Sequence, residues 1–356
     1  MTTEPEVLFE IKGGIGLITL NRPKALNSLT QGMCNAIRAG LKDWERDPRV
    51  HAVVVVGAGE KAFCAGGDVV KVSTSYKEGT DDWRGFFHDE YLMNVAIDEF
   101  KKPYVSLVDG ICMGGGVGVS IPGDFWVATE KTLFAMPETG LGLIPDVGGG
   151  WFLPRLPGEA GMYLALTGAR LKAADLFALG IATHVVASAD VPALVQALAD
   201  ADIHCGNCVK GVLAKFHKEP DPAPLAAHMD QIDEIFAGFS VEDIIAGLKA
   251  DGGEWAVKEY DLLLTKSPTS MKVTFEQLRR GAAAETFREV MLMEYRIVTH
   301  ILAGNDFHEG VRAILIDKDQ KPVWSPATLA DVSDKAVAAH FEPLGSAAEL
   351  DLARLG

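Results

Sequence analysis

ICMGGGVGVSIPGDFWVATEKTLFAMPETGLGLIPDVGGG, residues 111–150, brings a triple glycine and two spaced carboxylates into one run. Gly114 to Gly116 follow an apolar segment, Glu138 stands in Phe134–Thr139, and Asp146 is followed by Gly148 to Gly150. Glycines let the backbone approach a ligand closely and turn N–H groups toward it. Two carboxylates near such a backbone can act as acid, base or nucleophile.

The chain before this stretch repeats an architecture that feeds it. Tyr104 to Val108 reads as a buried strand leading into the glycines. Ala52 to Val56 is an earlier strand of the same kind, and it leads into another Gly-rich turn, Phe63 to Asp68. Between them, Asp81 to Phe100 carries apolar residues at the spacing of an amphipathic helix, while Val69 to Gly79 has no decisive pattern. Nearer the start, Val7 to Ile11 and Ile15 to Leu20 predict a hairpin turning at Gly13 and Gly14. A loop from Asn21 to Asn27 precedes a helix capped by Thr30.

After the stretch, helices are predicted over 148–156, 159–167, 172–179 and 191–201, with strands at 124–128 and 184–186. The texture then changes. Pro220, Pro222 and Pro224 punctuate an irregular segment, and the remainder reads mainly as helix. An α/β core over 1–203 followed by a helical region over 204–356 is the expected organisation.

Bulk composition narrows the function classes. With 356 residues and 48% hydrophobic content the chain buries a large core. The net charge of −16 and the absence of a basic run argue against nucleic acid as a partner. No apolar run has the length of a membrane span, so no membrane association is expected. The acidic opening MTTEPEVLFE lacks the marks of a signal or transit peptide, and five cysteines make no disulfide framework. The expected setting is a reduced cytoplasm.

With these motifs in place, the sequence resembles the crotonase (enoyl-CoA hydratase/isomerase) superfamily. The resemblance rests on Asn21–Asn27 (NRPKALN), Phe63–Asp68 (FCAGGD) and Gly110–Gly116 (GICMGGG). Within that superfamily it is most similar to the 3-hydroxyisobutyryl-CoA hydrolase subgroup, through Met113–Gly118, Phe134–Thr139, Pro145–Gly150, Phe152–Leu156, Leu164–Gly168, Gly180–His184, Ser267–Ser270 and Asn305–Ala313. The resemblance implies a spiral of ββα units with a helical C-terminal region. It also implies two backbone N–H donors for an acyl-CoA thioester oxygen, and these fall on Gly67 and Gly115. The first of the two hydratase glutamates aligns with Gly118 and is absent. The second aligns with Glu138. A hydratase glycine is replaced by Asp146, as in the hydrolase subgroup. Glu90 matches a substrate-contacting position, and Gly66, Asp68 and Gly114 flank the donors as substrate-binding residues. Lys24 lies in the loop that contacts CoA in the family; Arg22, Lys61 and Arg155 are weaker candidates for its phosphates.

The implied reaction is thioester hydrolysis of a branched C4 3-hydroxyacyl-CoA, as in valine breakdown, with Glu138 and Asp146 as the catalytic pair. Glu138 either attacks the carbonyl or activates water; the sequence does not choose. No cofactor or metal is expected, since coenzyme A is part of the substrate. Two other functions remain open: an enoyl-CoA hydratase or isomerase using Glu138 alone, and a silent acyl-CoA-binding protein. Hydratases of the superfamily form trimers and hexamers, so a homo-oligomer also stays open. A dinucleotide fingerprint is disfavoured because Val119 stands where its third glycine belongs. Cys205 and Cys208, with His204 and His217 nearby, lack the ligand spacing of a zinc site. No Gly-x-Ser-x-Gly elbow marks a serine hydrolase.

Overall fold

The computed structural model describes residues 4–345 and 348–355. Strands β1 (Val7–Lys12) and β2 (Ile15–Leu20) form the expected antiparallel hairpin, turning at Gly13 with φ +55°. Four further strands extend it in parallel: β3 (Ala52–Gly57), β5 (Tyr104–Val108), β7 (Phe125–Thr129) and β9 (His184–Val186). The six-stranded sheet has the order β1-β2-β3-β5-β7-β9. A second, three-stranded parallel sheet contains β4 (Ala62–Cys64), β6 (Ile111–Met113) and β8 (Leu133–Ala135).

Each turn of the chain therefore gives one strand to the large sheet and one to the small sheet. Helix α1 (Gln31–Arg46) precedes β3, and α2 (Val69–Lys77) and α3 (Asp82–Asp98) separate the first turn from the second. The single turn α4 (Gly115–Gly118) separates the second from the third. The result is a spiral of ββα units, as the resemblance implied.

The register of the small sheet positions the site. Cys64 pairs with Cys112, Cys112 with Phe134, and Met113 with Ala135. Neighbouring strands lie about 4.8 Å apart. The segments leaving β4, β6 and β8 are thus stacked side by side, and they carry Gly66–Gly67, Gly114–Gly115 and Glu138 respectively. Residues far apart in sequence meet because each sits just beyond the same end of consecutive strands.

The valine run of β3 is apolar on both faces because both faces are covered. Val53 and Val55 join the main core, while Ala52 and Val54 face a second cluster with Leu194 and Leu198. Helix α1 begins at Thr30, whose hydroxyl accepts from Met33 N–H at 3.2 Å, and it buries Met33, Ile37, Leu41 and Trp44. Helix α3 differs from the amphipathic expectation. Its buried residues run around most of its circumference, including Asp89, Glu90 and Asn94, because α1, α2 and the helix Phe287–Leu302 all pack on it.

Beyond β9 the chain is helical. The helices Pro268–Ala283 and Phe287–Leu302 pack against the short helix α5 (Gly149–Phe152), and one apolar cluster runs from Leu20 and Val53 to Met271, Ile297 and Val311. The helix expected over 148–156 is broken into α5 and a tight turn at Leu153–Arg155. Pro154 lacks the N–H that a continuous helix would use there.

Candidate active site

Three backbone segments converge on a cavity of about 840 Å³, and their glycines form its floor. Gly66 has φ +115° and Gly114 φ +47°, a region that favours glycine. The turn after β4 is held by the N–H groups of Leu29, Ala65, Asp68 and Val69. The Gly67 N–H has no backbone acceptor among the described residues. Gly115 opens α4, where the first N–H groups have no acceptor within the helix. A Cβ placed on Gly115 would stand 3.2 Å from Gly67 N, so the two donors border the same small space.

Three carboxylates face that space. Glu138 opens a 3-10 turn after β8, is 5% exposed, and its Oε2 has no partner among the described residues. The turn is anchored by Thr139 Oγ1, which donates to Leu166 O at 3.0 Å, and by Leu143 N–H, which donates to Glu138 O at 3.0 Å. A Cβ on Gly114 would come within 3.1 Å of Glu138 Oε1, so glycine there leaves room for the carboxylate. Glu90 comes from α3, is 2% exposed, and its Oε1 is likewise unpartnered among the described residues. Asp146 follows Pro145 and accepts a hydrogen bond from Tyr91 Oη at 2.7 Å.

Burial and crowding push these groups upward. Desolvation is the leading cause for Glu138, followed by the nearby Asp146 charge, while Lys266 pulls the other way. Glu90 is raised by burial and then by Asp146 and Glu138. Asp146 is raised to about 6 by burial, with the Tyr91 hydroxyl opposing. Like charges in a low-dielectric cavity resist ionising together. Such an arrangement suits proton transfer near neutral pH.

The Tyr91 hydroxyl favours the ionised form of Asp146. Removing it with Tyr91→Phe raises the Asp146 pKa, so protonation sets in at higher pH. The acidic limb of the kcat–pH profile is expected to move up by roughly one pH unit, in proportion to one charge-assisted hydrogen bond. A pH-rate series on the variant checks this; an unmoved limb removes Tyr91 from any role in setting the charge of Asp146.

The sequence-derived candidates are placed as follows. Gly66, Gly67, Asp68, Glu90, Gly114, Gly115, Glu138 and Asp146 all line the one cavity. Asp68 also caps α2, accepting from Lys71 N–H at 3.4 Å. Lys24 is exposed on the turn Pro23–Ala25 and is not among the residues lining the cavity. Arg22 is engaged by Glu6 at 3.0 Å and donates to Ser28 O at 2.6 Å, which holds its loop. Arg155 lies elsewhere, stacked 3.5 Å above the Trp151 ring and donating to Gly281 O and Ala284 O. The cations that do line the cavity are Arg170 and Lys266.

Arg170, Lys266 and Tyr91 carry no local motif that marks them. Tyr91 reads in the sequence as one more apolar position of its helix, and Lys266 enters from the helical C-terminal region. Gly118 is closely packed: a Cβ would stand 2.6 Å from Val147 Cβ and 2.7 Å from Asn94 Nδ2. A glutamate has no room at that position. Away from the cavity, Cys205 Sγ and Cys208 Sγ are 3.4 Å apart at the surface, and no three potential ligands cluster as a metal site among the described residues.

The loop after Asp146 is strained. Val147, a β-branched residue, has φ +52° and Gly148 has φ +96°. Such a backbone costs about 1–3 kcal/mol and persists only where its surroundings hold it. Here the surroundings are Gln277 and Glu294. Gln277 Nε2 donates to Pro145 O at 2.8 Å, and Glu294 accepts from Gly148 N–H at 2.8 Å and Gly150 N–H at 2.7 Å.

Comparison with known proteins agrees with this geometry. The enoyl-CoA hydratase/isomerase family description matches residues 15–341. The chain is 49% identical to the mitochondrial 3-hydroxyisobutyryl-CoA hydrolase of Xenopus tropicalis, over 96% of this chain and 90% of that protein. It is 48% identical to the Homo sapiens protein of the same description, over 96% of this chain and 89% of that one. The crystal structure of a carnitinyl-CoA dehydratase from Mycobacterium thermoresistibile superimposes with a TM-score of 0.91 at 43% identity, covering 98% of both chains. These relatives correct one expectation. The hydrolases are named as mitochondrial, so the cytoplasmic setting expected from the N-terminal segment and the cysteine count is withdrawn.

Proposed function

The chain belongs to the enoyl-CoA hydratase/isomerase family, and we propose that within it the protein hydrolyses 3-hydroxyisobutyryl-CoA to 3-hydroxyisobutyrate and CoA. On this reading the reaction belongs to valine breakdown. The thioester oxygen sits between the Gly67 and Gly115 N–H groups. Attack at the carbonyl places negative charge on that oxygen, where preorganised donors stabilise it most.

Glu138 delivers the nucleophile. Either its carboxylate adds to the carbonyl and the resulting anhydride is hydrolysed, or it takes a proton from water as the water adds. Both routes consume one water, break the C–S bond and release the CoA thiol with its proton. Asp146, which accepts from Tyr91 Oη, binds the 3-hydroxyl of the acyl group on this proposal and keeps the chain in register with Glu138. Lys266 supplies a positive charge that favours ionised Glu138.

The observation that carries the reading is Gly118, whose packing against Val147 and Asn94 leaves no room for a second hydratase glutamate. The rival reading, hydration of an enoyl-CoA, draws on structural relatives named as a dehydratase or hydratase, the latter from Rhodobacter sphaeroides at 38% identity with a TM-score of 0.89. Hydration is served by acid and base groups at adjacent carbons, and beside Glu138 this cavity has its other carboxylates at Asp146 and Glu90 instead.

A paired assay separates the two. With 3-hydroxyisobutyryl-CoA, free thiol is expected to appear in step with ester loss. With crotonyl-CoA, the enoyl chromophore is expected to persist. Loss of that chromophore without thiol release would favour hydration, and ester binding with neither reaction would favour a silent binding protein.

A further inference from the structure

We propose that Gln277 and Glu294 are positioning residues that hold Asp146 for catalysis by fastening its loop on both sides. The inference rests on the hydrolase reading for its activity readout alone. Asp146 lies between the two attachment points. On one side, Gln277 Nε2 binds Pro145 O at 2.8 Å; on the other, Glu294 takes the Gly148 and Gly150 N–H groups at 2.8 and 2.7 Å. Gln277 Nε2 also donates to Glu294 Oε1 at 3.1 Å, which joins the two anchors into one unit.

Neither residue lines the cavity, so neither touches the reacting atoms. Both are fully buried, and among the described residues the Glu294 carboxyl group accepts from Gly148 N–H, Gly150 N–H and Gln277 Nε2. A buried carboxylate is costly to keep. A purely structural contact between helices and loop would be made more cheaply by apolar side chains. What a carboxylate adds is a fixed receptor for two successive-but-one amides, and hence a defined loop path.

The loop needs that fixing. Its backbone is left-handed at both Val147 and Gly148. The approach is also close: a Cβ on Gly150 would stand 3.0 Å from Glu294 Oε1 and 3.2 Å from Gln277 Nε2. Gln277 and Glu294 come from the helices Pro268–Ala283 and Phe287–Leu302. The helical C-terminal region thereby reaches the catalytic centre through the backbone on either side of Asp146, while Tyr91 holds its side chain.

Two variants test this. Glu294→Gln turns one acceptor into a donor opposite N–H groups. Gln277→Leu keeps the volume and removes the Pro145 anchor while leaving the Glu294 bonds to backbone. The readouts are kcat per folded active site, KM, and amide hydrogen exchange measured by peptide. Both variants are expected to lose about tenfold to a hundredfold in kcat with little change in KM, since the cost is misplacement of one group. Exchange over residues 145–151 is expected to quicken by about tenfold or more with other peptides unchanged, as local opening predicts. Unchanged kcat per folded site in both variants would overturn the proposal, as would exchange that rises uniformly along the chain or not at all over 145–151. If the wild type itself releases no thiol, the hydrolase reading fails separately, and the exchange arm still decides whether these residues hold the loop.

Discussion

Glu138→Gln is expected to abolish thiol release from 3-hydroxyisobutyryl-CoA, a loss of about a thousandfold or more, of the size that removal of a general base produces. Ester binding should stay near wild type. The substitution keeps the shape of a side chain that has an oxygen without a partner among the described residues, and it removes the charge that either route of attack requires. Stability should move the opposite way from activity. Burial and Asp146 raise the folded-state pKa of Glu138 above its ordinary value. A carboxyl group raised in this way favours folding while protonated, at pH below its unfolded value. That contribution is lost as pH rises toward the folded value. At neutral pH, well above the unfolded value, a glutamate at this position therefore costs stability, and a neutral glutamine relieves the cost. A Tm at or above wild type, measured beside an inactive enzyme that still binds the ester, is the expected pattern. Retained turnover would remove Glu138 from the chemistry.

Gly115→Ala is expected to cost about a hundredfold to a thousandfold in kcat, the range for one lost oxyanion donor. The added methyl would stand 2.5 Å from Glu90 Oε1 and 3.2 Å from Gly67 N. Glu90 must then shift within a cavity it shares with Glu138 and Asp146, or the two donors must part. Either way the paired N–H groups no longer meet one oxygen. Binding of a CoA thioether, which has no carbonyl oxygen, separates this from a general loss of the pocket. The variant should bind the thioether nearly as well as wild type does. Near-normal kcat in a folded Gly115→Ala protein would show that these amides do not stabilise the developing charge.

Much of the lining of this candidate site was legible because the spiral stacks short motifs. Gly67, Gly115 and Glu138 each follow a strand of the small sheet, and each motif is recognisable without knowledge of the others. The strands themselves were not anticipated. β4, β6 and β8 have three residues each, too few for an alternating pattern to emerge. Helix α2 escaped for a related reason, since Val69–Lys77 mixes apolar and polar residues and buries only Val72, Ser73 and Ser75.

Residues that act through tertiary approach left no sequence signal. Tyr91 sits inside an aromatic-rich helix, and its hydroxyl matters only because Asp146 arrives opposite it. Gln277 and Glu294 come from helices far along the chain and Lys266 from the bend before the first of them, and nothing in their spacing points at residues 138–150. Gly118 ran the other way. Its absence of a side chain was informative in the sequence, and the structure adds that Val147 and Asn94 occupy the space a longer residue would need.

The central claim is that this cavity breaks a thioester and leaves the carbon skeleton untouched. Its most direct test is a single reaction of the purified protein with 3-hydroxyisobutyryl-CoA in heavy-oxygen water, with all products weighed by mass spectrometry. The account predicts free CoA and 3-hydroxyisobutyrate in equal amounts, the heavy oxygen in the carboxylate and the original hydroxyl retained. Conversion to the enoyl-CoA with its thioester intact, or heavy oxygen at the hydroxyl-bearing carbon, would contradict it.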